Sequence, residues 1–268
     1  MSAEHERRHR IEAAVGWAER AGELLLQMQG HVQGVESKGA VDFVSDADRR
    51  AQREILDGIQ KLTPDDGFLF EEDDCQESGA SGYTWVVDPL DGTTNYLHGS
   101  RHYAVSIGLL EQGVRVGGVI YAPAHEELFV GTQGEGVRLN GELVKVSTRS
   151  TLSQSLLATG FPYDRRERLD LLLGELRRGL LYSRGLRRAG AAALDFAYVA
   201  CGRLDGFWEH GLSPWDVCAG LLLVEEAGGM VSNLEGKEPG IYEGPFISSN
   251  GLIHSDLLKK VVLDQGED

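Results

Sequence analysis

Trp85-Val86-Val87-Asp88-Pro89-Leu90-Asp91-Gly92-Thr93-Thr94-Asn95-Tyr96 constrains this chain more than any other stretch: an apolar β-type run ends in two acids, a turn and small hydroxyl residues. Tyr83 to Val87 is aromatic and β-branched, as a buried strand should be. Pro89 has no N–H to give a ladder, so Asp88 is expected where the strand stops. The segment Asp91-Gly92-Thr93-Thr94 then reads as a helix opening, whose unpaired N–H groups and positive dipole end suit an anion. Two acids would repel a phosphate at that corner. A hard divalent cation held by them reverses the local sign, so the pattern asks for a metal.

Composition sets outer limits. With 268 residues, 41% hydrophobic and 25% charged, the chain can bury a full core. The expected organisation is one catalytic unit, 1–268, of two packed lobes: about 1–150, α+β with an antiparallel sheet, and about 151–268, α/β. A net charge of −16 argues against a nucleic-acid surface, which needs basic patches. No apolar run reaches the length of a membrane span, and the N-terminal MSAEHERRHR is charged where a signal peptide would be apolar, so a cytoplasmic protein is expected. Cys75, Cys201 and Cys218 are odd in number and lack metal-type spacing, which points to free, non-catalytic thiols.

In chain order, Ile11, Ala14, Val15, Ala18, Leu24, Leu25 and Met28 predict an amphipathic helix over 6–29 that Gly30 stops. Ser45 and Asp48 resemble a capping box before a helix carrying Ala51, Ile55, Leu56, Ile59 and Leu62. Gly67 to Phe70 is a short strand ending at Glu71-Glu72, a second set of acids at a strand end. The rest of the run to Asp74 reads as solvated loop. Tyr103 to Leu110, Val114 to Tyr121 and Glu127 to Val130 are expected as antiparallel strands, and Asn140-Gly141 as a hairpin turn before Leu143 to Val146. Beyond residue 155 the pattern alternates: strands at Ser155 to Ala158, Leu204 to Trp208, Met230 to Ser232 and Phe246 to Ser249, helices near 165–178, 190–201, 214–227 and 255–263.

A second anchor, Trp215-Asp216-Val217-Cys218-Ala219-Gly220, follows Pro214 at a helix start. Each acid has an ordinary explanation taken alone: dipole complementation for Asp216, turn hydrogen bonds for Asp88 and Asp91, solvation for Glu71, capping for Asp48.

Taken together, Trp85 to Tyr96, the preceding Glu71-Glu72 and the later Trp215 to Gly220 resemble the inositol monophosphatase family of Mg²⁺-dependent, lithium-sensitive phosphatases, in order from Asp48 through Phe246. The resemblance implies an α/β fold, a layered α+β sandwich of alternating helix pairs and sheets, working as a homodimer. It implies two or three Mg²⁺ ions held by Glu71, Asp88, the carbonyl of Leu90, Asp91 and Asp216, with Asp88 bridging two. Asp48 and Thr93 would orient the attacking water and, with Glu71, make up the catalytic set. The amides of Gly92 and Thr93 would hold phosphate oxygens and Gly190, Ala191, Ala192 and Glu209 would meet the alcohol, with Leu90, Asp91 and Asp216 also in the substrate-binding set. Phe70 stands where a small residue usually precedes the first acid, leaving Glu71 and Glu72 in competition, though strand parity favours Glu71. Ala191 stands where a hydroxyl residue is common. The implied activity is hydrolysis of a small polyol monophosphate, most simply myo-inositol monophosphate. Fructose 1,6-bisphosphate, histidinol phosphate and nucleotide 3′,5′-bisphosphates are alternatives within the family. A partner of the transcription machinery on the same fold is an alternative of another class.

Overall fold

The computed structural model describes residues 3–31, 36–37, 43–72, 75–242 and 244–265. Helix α1 (Ala3–Met28) ends as expected before Gly30, whose φ of +82° only glycine adopts readily. Strands β1 (Glu36–Ser37) and β2 (Phe43–Val44) form a small antiparallel pair; the stretch Lys38 to Asp42 lies outside the described residues. Helix α2 (Asp46–Leu62) is opened by the capping box of Ser45 and Asp48. The strands β3 (Gly67–Phe70), β4 (Gln76–Glu77) and β5 (Tyr83–Asp91), the short helix α3 (Thr93–Leu97), and the strands β6 (Ala104–Glu111), β7 (Val114–Ala122), β8 (Glu127–Thr132), β9 (Gly136–Leu139) and β10 (Glu142–Val144) complete the first half. The eight strands β3 to β10 make one sheet in the order β10-β9-β8-β7-β6-β5-β3-β4. At the β9–β10 hairpin Asn140 and Gly141 take φ of 49° and 87°, as a tight two-residue turn requires.

The second half runs β11 (Leu156–Thr159), α4 (Leu169–Tyr182), β12 (Gly185–Arg187), α5 (Ala192–Ala200), β13 (Gly206–Glu209), α6 (Pro214–Glu226), β14 (Met230–Ser232), β15 (Phe246–Ser249) and α7 (His254–Asp256), which continues as a π-type segment, Leu257–Val262. Its five strands form a mixed sheet ordered β12-β11-β13-β15-β14. Three apolar groups give the layering. Trp17, Ile55 and Trp85 lie between the α1/α2 pair and one face of the large sheet. Val86, Ile120 and Phe129 of its other face meet Phe196, Leu221 and Phe207, so α5 and α6 sit between the two sheets. Trp208, Ile247, Leu257 and Val261 cover the outer face of the second sheet. The result is the α/β layered sandwich the sequence implied, with helix pairs and sheets alternating.

Local details depart from the expectations. Strand β5 does not stop at Asp88: it continues to Asp91 through a register shift, so Pro89 sits in an irregularity where no ladder N–H is needed. Glu72 is not solvated but 1% exposed, because Gln52 of α2 bonds its backbone N–H and C=O, at 3.2 and 3.1 Å; Asp73 and Asp74 lie outside the described residues. The expected helix near 165–178 begins later, at Leu169, since Asp164 to Arg168 is used in turns closed by Arg165 N–H to Pro162 O and Glu167 N–H to Asp164 O. Strand β13 starts at Gly206 and includes Glu209, because the amides of Leu204 and Asp205 are spent on Tyr198 O and Leu156 O. The short strands β4 and β12 carried too few residues for alternation to reveal them.

Candidate active site

Strands β3 and β5 are parallel neighbours with Phe70 opposite Val87, and Glu71 N–H extends the ladder to Val87 O at 3.2 Å. Glu71 is thereby set beside Asp88 at the carboxyl ends of both strands. Glu71, and not Glu72, lines the cavity there, as parity favoured. One turn on, Leu90 N–H donates to Asp88 Oδ1 at 2.9 Å, and Gly92 takes φ +91°. A Cβ on Gly92 would also stand 3.1 Å from His102 O and 3.2 Å from Ala191 Cβ, so the turn needs glycine for both shape and space. Asp91 reaches across to the second half, its oxygens accepting from Ala192 N–H (3.2 Å) and Ala193 N–H (2.8 Å) at the start of α5. Asp216, in the first turn of α6, accepts from Ser213 N–H at 2.7 Å, so its capping bond is real and it still lines the cavity.

These elements enclose a cavity of about 430 Å³. Glu71, Asp88, Leu90, Asp91, Gly92, Thr93, Gly190, Ala192, Glu209 and Asp216 all line it. Two expected site residues do not. Asp48 is 1% exposed and lies behind Thr93, whose Oγ1 is 3.1 Å from both Asp48 Oδ1 and Leu90 O. Ala191 is 1% exposed and packs beneath Gly92, so it shapes the turn rather than facing the cleft.

Electrostatics set this corner apart. Burial, then the charges of Glu71, Asp91 and Asp216, push the Asp88 carboxyl well above the usual carboxylate range. Burial with Glu71 nearby raises Asp91 to about 7, against the opposing pull of the α5 amides. Asp48 is raised by burial. Such a cluster is costly until a cation balances it. The donors are all hard oxygens, supplied singly from two strand ends, a turn and a helix start. Among the described residues no three His, Cys, Asp or Glu side chains close into a ready-made cage. An open oxygen set fits Mg²⁺, which keeps several waters and shares coordination with phosphate.

The alcohol side holds groups that sequence reasoning missed. Arg165 and Arg188 line the cavity, and the Arg188 guanidinium lies 5.2 Å from the centre of the Phe161 ring. Burial, then Asp195 and Asp216, raises Glu209 well above its ordinary range, while Arg188 opposes that shift. Two cations therefore share the wall that carries Glu209; the basic run Arg165-Arg166 and the pair Arg187-Arg188 were the available signal. Asn95 was missed as well: its Nδ2 donates to His102 O (2.7 Å), Ala189 O (2.9 Å) and Gly190 O (3.2 Å), fastening the loop before α5 over the site.

A sequence profile described as the inositol monophosphatase family matches residues 6–265. The inositol-1-monophosphatase of Mesorhizobium japonicum is 46% identical over 91% of this chain and 92% of its own length. A putative Nus factor SuhB of Neisseria meningitidis is 38% identical over 90% of this chain and 94% of its own. The crystal structure of the extragenic suppressor protein SuhB from Bartonella henselae superposes with a TM-score of 0.90 at 42% identity, covering 94% of this chain and 98% of that one.

Proposed function

The chain belongs to the inositol monophosphatase family and is a phosphoric monoester hydrolase of that kind, and from that premise we propose that it hydrolyses a small polyol monophosphate, most simply an inositol monophosphate, with Mg²⁺. The observation that carries this reading is the set of hard oxygen donors, Glu71, Asp88, the Leu90 carbonyl, Asp91 and Asp216, brought to one cavity from two strand ends, a turn and a helix start. Glu71, Asp88, the Leu90 carbonyl, Asp91 and Asp216 would hold two or three ions. Bound there, Mg²⁺ supplies positive charge against the phosphoryl oxygens and the leaving alkoxide and acidifies the attacking water. Thr93 Oγ1 orients that water and relays a proton toward Asp48 Oδ1, a carboxyl already raised by burial and so suited to accept one. The amides of Gly92 and Thr93 face the phosphate, while Gly190, Ala192 and Glu209 bound the alcohol. Phosphate release from inositol monophosphate, measured with Mg²⁺, with chelator and after Mg²⁺ is restored, tests the reading: turnover should vanish and return.

The acids come from both halves, which supports a single catalytic unit. The exposed stripe Leu169, Leu173 and Leu180 on one face of α4 (53, 51 and 66% exposed) supports a homodimer in which a second copy covers it. A role alongside the transcription machinery takes support from relatives that carry the Nus factor name; at a net charge of −16 it would run through protein contacts. No helix among the described residues is long and apolar enough to cross a membrane, and a cytoplasmic location is part of the same proposal.

A further inference from the structure

We propose that Glu175 is a positioning residue for substrate selection: from α4, behind the second sheet, its buried carboxylate clasps the residues on either side of Glu209 and so aims Glu209 into the cleft. The inference rests on the role given to Glu209 above. Trp208 Nε1 donates to Glu175 Oε2 at 2.9 Å, and His210 Nε2 lies 2.8 Å from Glu175 Oε1. All three are buried, at 2% exposure for Glu175, 1% for Trp208 and 5% for His210. Along a strand, residues two apart share a face and the one between them points the other way. Trp208 and Glu209 are neighbours on β13 and face opposite ways, and Glu175 holds both Trp208 and, just past the strand end, His210, which keeps Glu209 on the other face, where it lines the cavity with Asp216. Thr159 Oγ1 adds a third anchor, donating to Trp208 O at 2.9 Å.

The front side has a matching seat. A Cβ on Gly160, just past β11, would stand 1.9 Å from Glu209 Oε2 and 2.0 Å from its Cδ. Gly160 is not in the left-handed region, so what it provides is space. Clasp and seat together leave the Glu209 carboxylate little freedom, which lets a hydrogen bond to a polyol hydroxyl be made without reordering.

The test compares kcat/KM for inositol 1-phosphate with that for phenyl phosphate, whose leaving group offers no further hydroxyls. Glu175→Leu should lower the ratio by roughly tenfold through KM for the polyol, approaching Glu209→Gln, with phenyl phosphate turnover unchanged within about twofold. Glu175→Gln should restore it, because a carboxamide can accept from the indole and donate to a neutral imidazole. The double variant Glu175→Leu/Glu209→Gln should fall no further than Glu209→Gln alone. Gly160→Ala should lower the ratio from the other side, and it decides the matter if Glu175→Leu does not fold. An unchanged ratio in Glu175→Leu or, failing that, in Gly160→Ala, while Glu209→Gln lowers it, overturns the proposal. A wild-type enzyme without polyol preference overturns the role of Glu209 instead. Crystal structures of the same variants then decide the positioning: a Glu209 carboxylate displaced from Gly160 supports it, and one that has not moved overturns it.

Discussion

Thr93 Oγ1 lies 3.1 Å from Asp48 Oδ1 across 45 residues of chain, while the other oxygen of Asp48 accepts from Ser45 N–H at 2.9 Å and Ser45 Oγ at 2.5 Å. The two carboxylate oxygens thus divide two tasks, one closing a helix cap and one facing the site. Asp48→Asn should keep metal affinity, measured by calorimetric titration with Mg²⁺, and lose turnover by on the order of 100-fold. A variant that loses metal affinity first would move Asp48 into the ligand set.

Asp88→Asn should separate stability from activity. Without metal, the substitution removes a carboxyl whose ionisation is opposed by burial and by Glu71, Asp91 and Asp216, so the chelated variant should melt above the chelated wild type, by roughly 2–4 °C per kcal/mol recovered. With Mg²⁺ the order should reverse, and turnover should drop on the order of 100-fold or more. Scanning calorimetry with and without chelator checks the stability arm, and near-normal turnover at ordinary Mg²⁺ would remove Asp88 from the ligand set.

Substrate choice should follow the balance between Glu209 and Arg188. A hydrogen bond from a polyol hydroxyl to a charged group is worth about 1.5–3 kcal/mol, enough for tenfold selection or more. Inositol monophosphate should surpass fructose 1,6-bisphosphate and a nucleotide 3′,5′-bisphosphate in kcat/KM. Glu209→Gln should narrow that gap and Arg188→Gln should widen it; a wild-type preference for either bisphosphate would refute the assignment.

Acid should weaken the fold through His254. Its Nδ1 is 2.9 Å from Ser249 Oγ and its Nε2 2.8 Å from Ser232 Oγ, and burial lowers it to about 4 from an ordinary 6.5. The folded state therefore binds fewer protons than the unfolded chain between those values. Stability is fully present above pH 6.5 and is lost as pH falls toward 4, by about 2 kcal/mol between pH 7 and pH 5. His254→Gln should flatten the stability curve over that interval, measured by urea unfolding.

If a second copy covers α4, Leu173→Glu and Leu180→Glu should each turn a dimer into a monomer in sedimentation velocity without changing the circular dichroism. Both side chains are more than half exposed, so the folded chain has little to lose.

Sequence alone determined whatever is decided within a few residues. The Ser45–Asp48 cap, the Asn140-Gly141 turn and the order of acid, turn and helix start from Asp88 to Thr93 are written in neighbouring side chains, because the bonds that make them span two or three positions. The resemblance carried by those motifs extended that legibility to the layered fold. Tertiary structure decided the rest. Pro89 could stay in a strand because the pairing with β6 shifts register there, and Glu72 was buried because Gln52 of another element satisfies its backbone. Asn95 fastens the Ala189 loop 94 residues away, and Glu175 reaches the strand that carries Glu209 from a helix 33 residues earlier. A cleft forms where such distant segments converge, and its electrostatics depend on which charges share the buried volume. A linear pattern names the acids, but only their packing brings Arg188 beside Glu209 and crowds Asp88 with three other carboxylates.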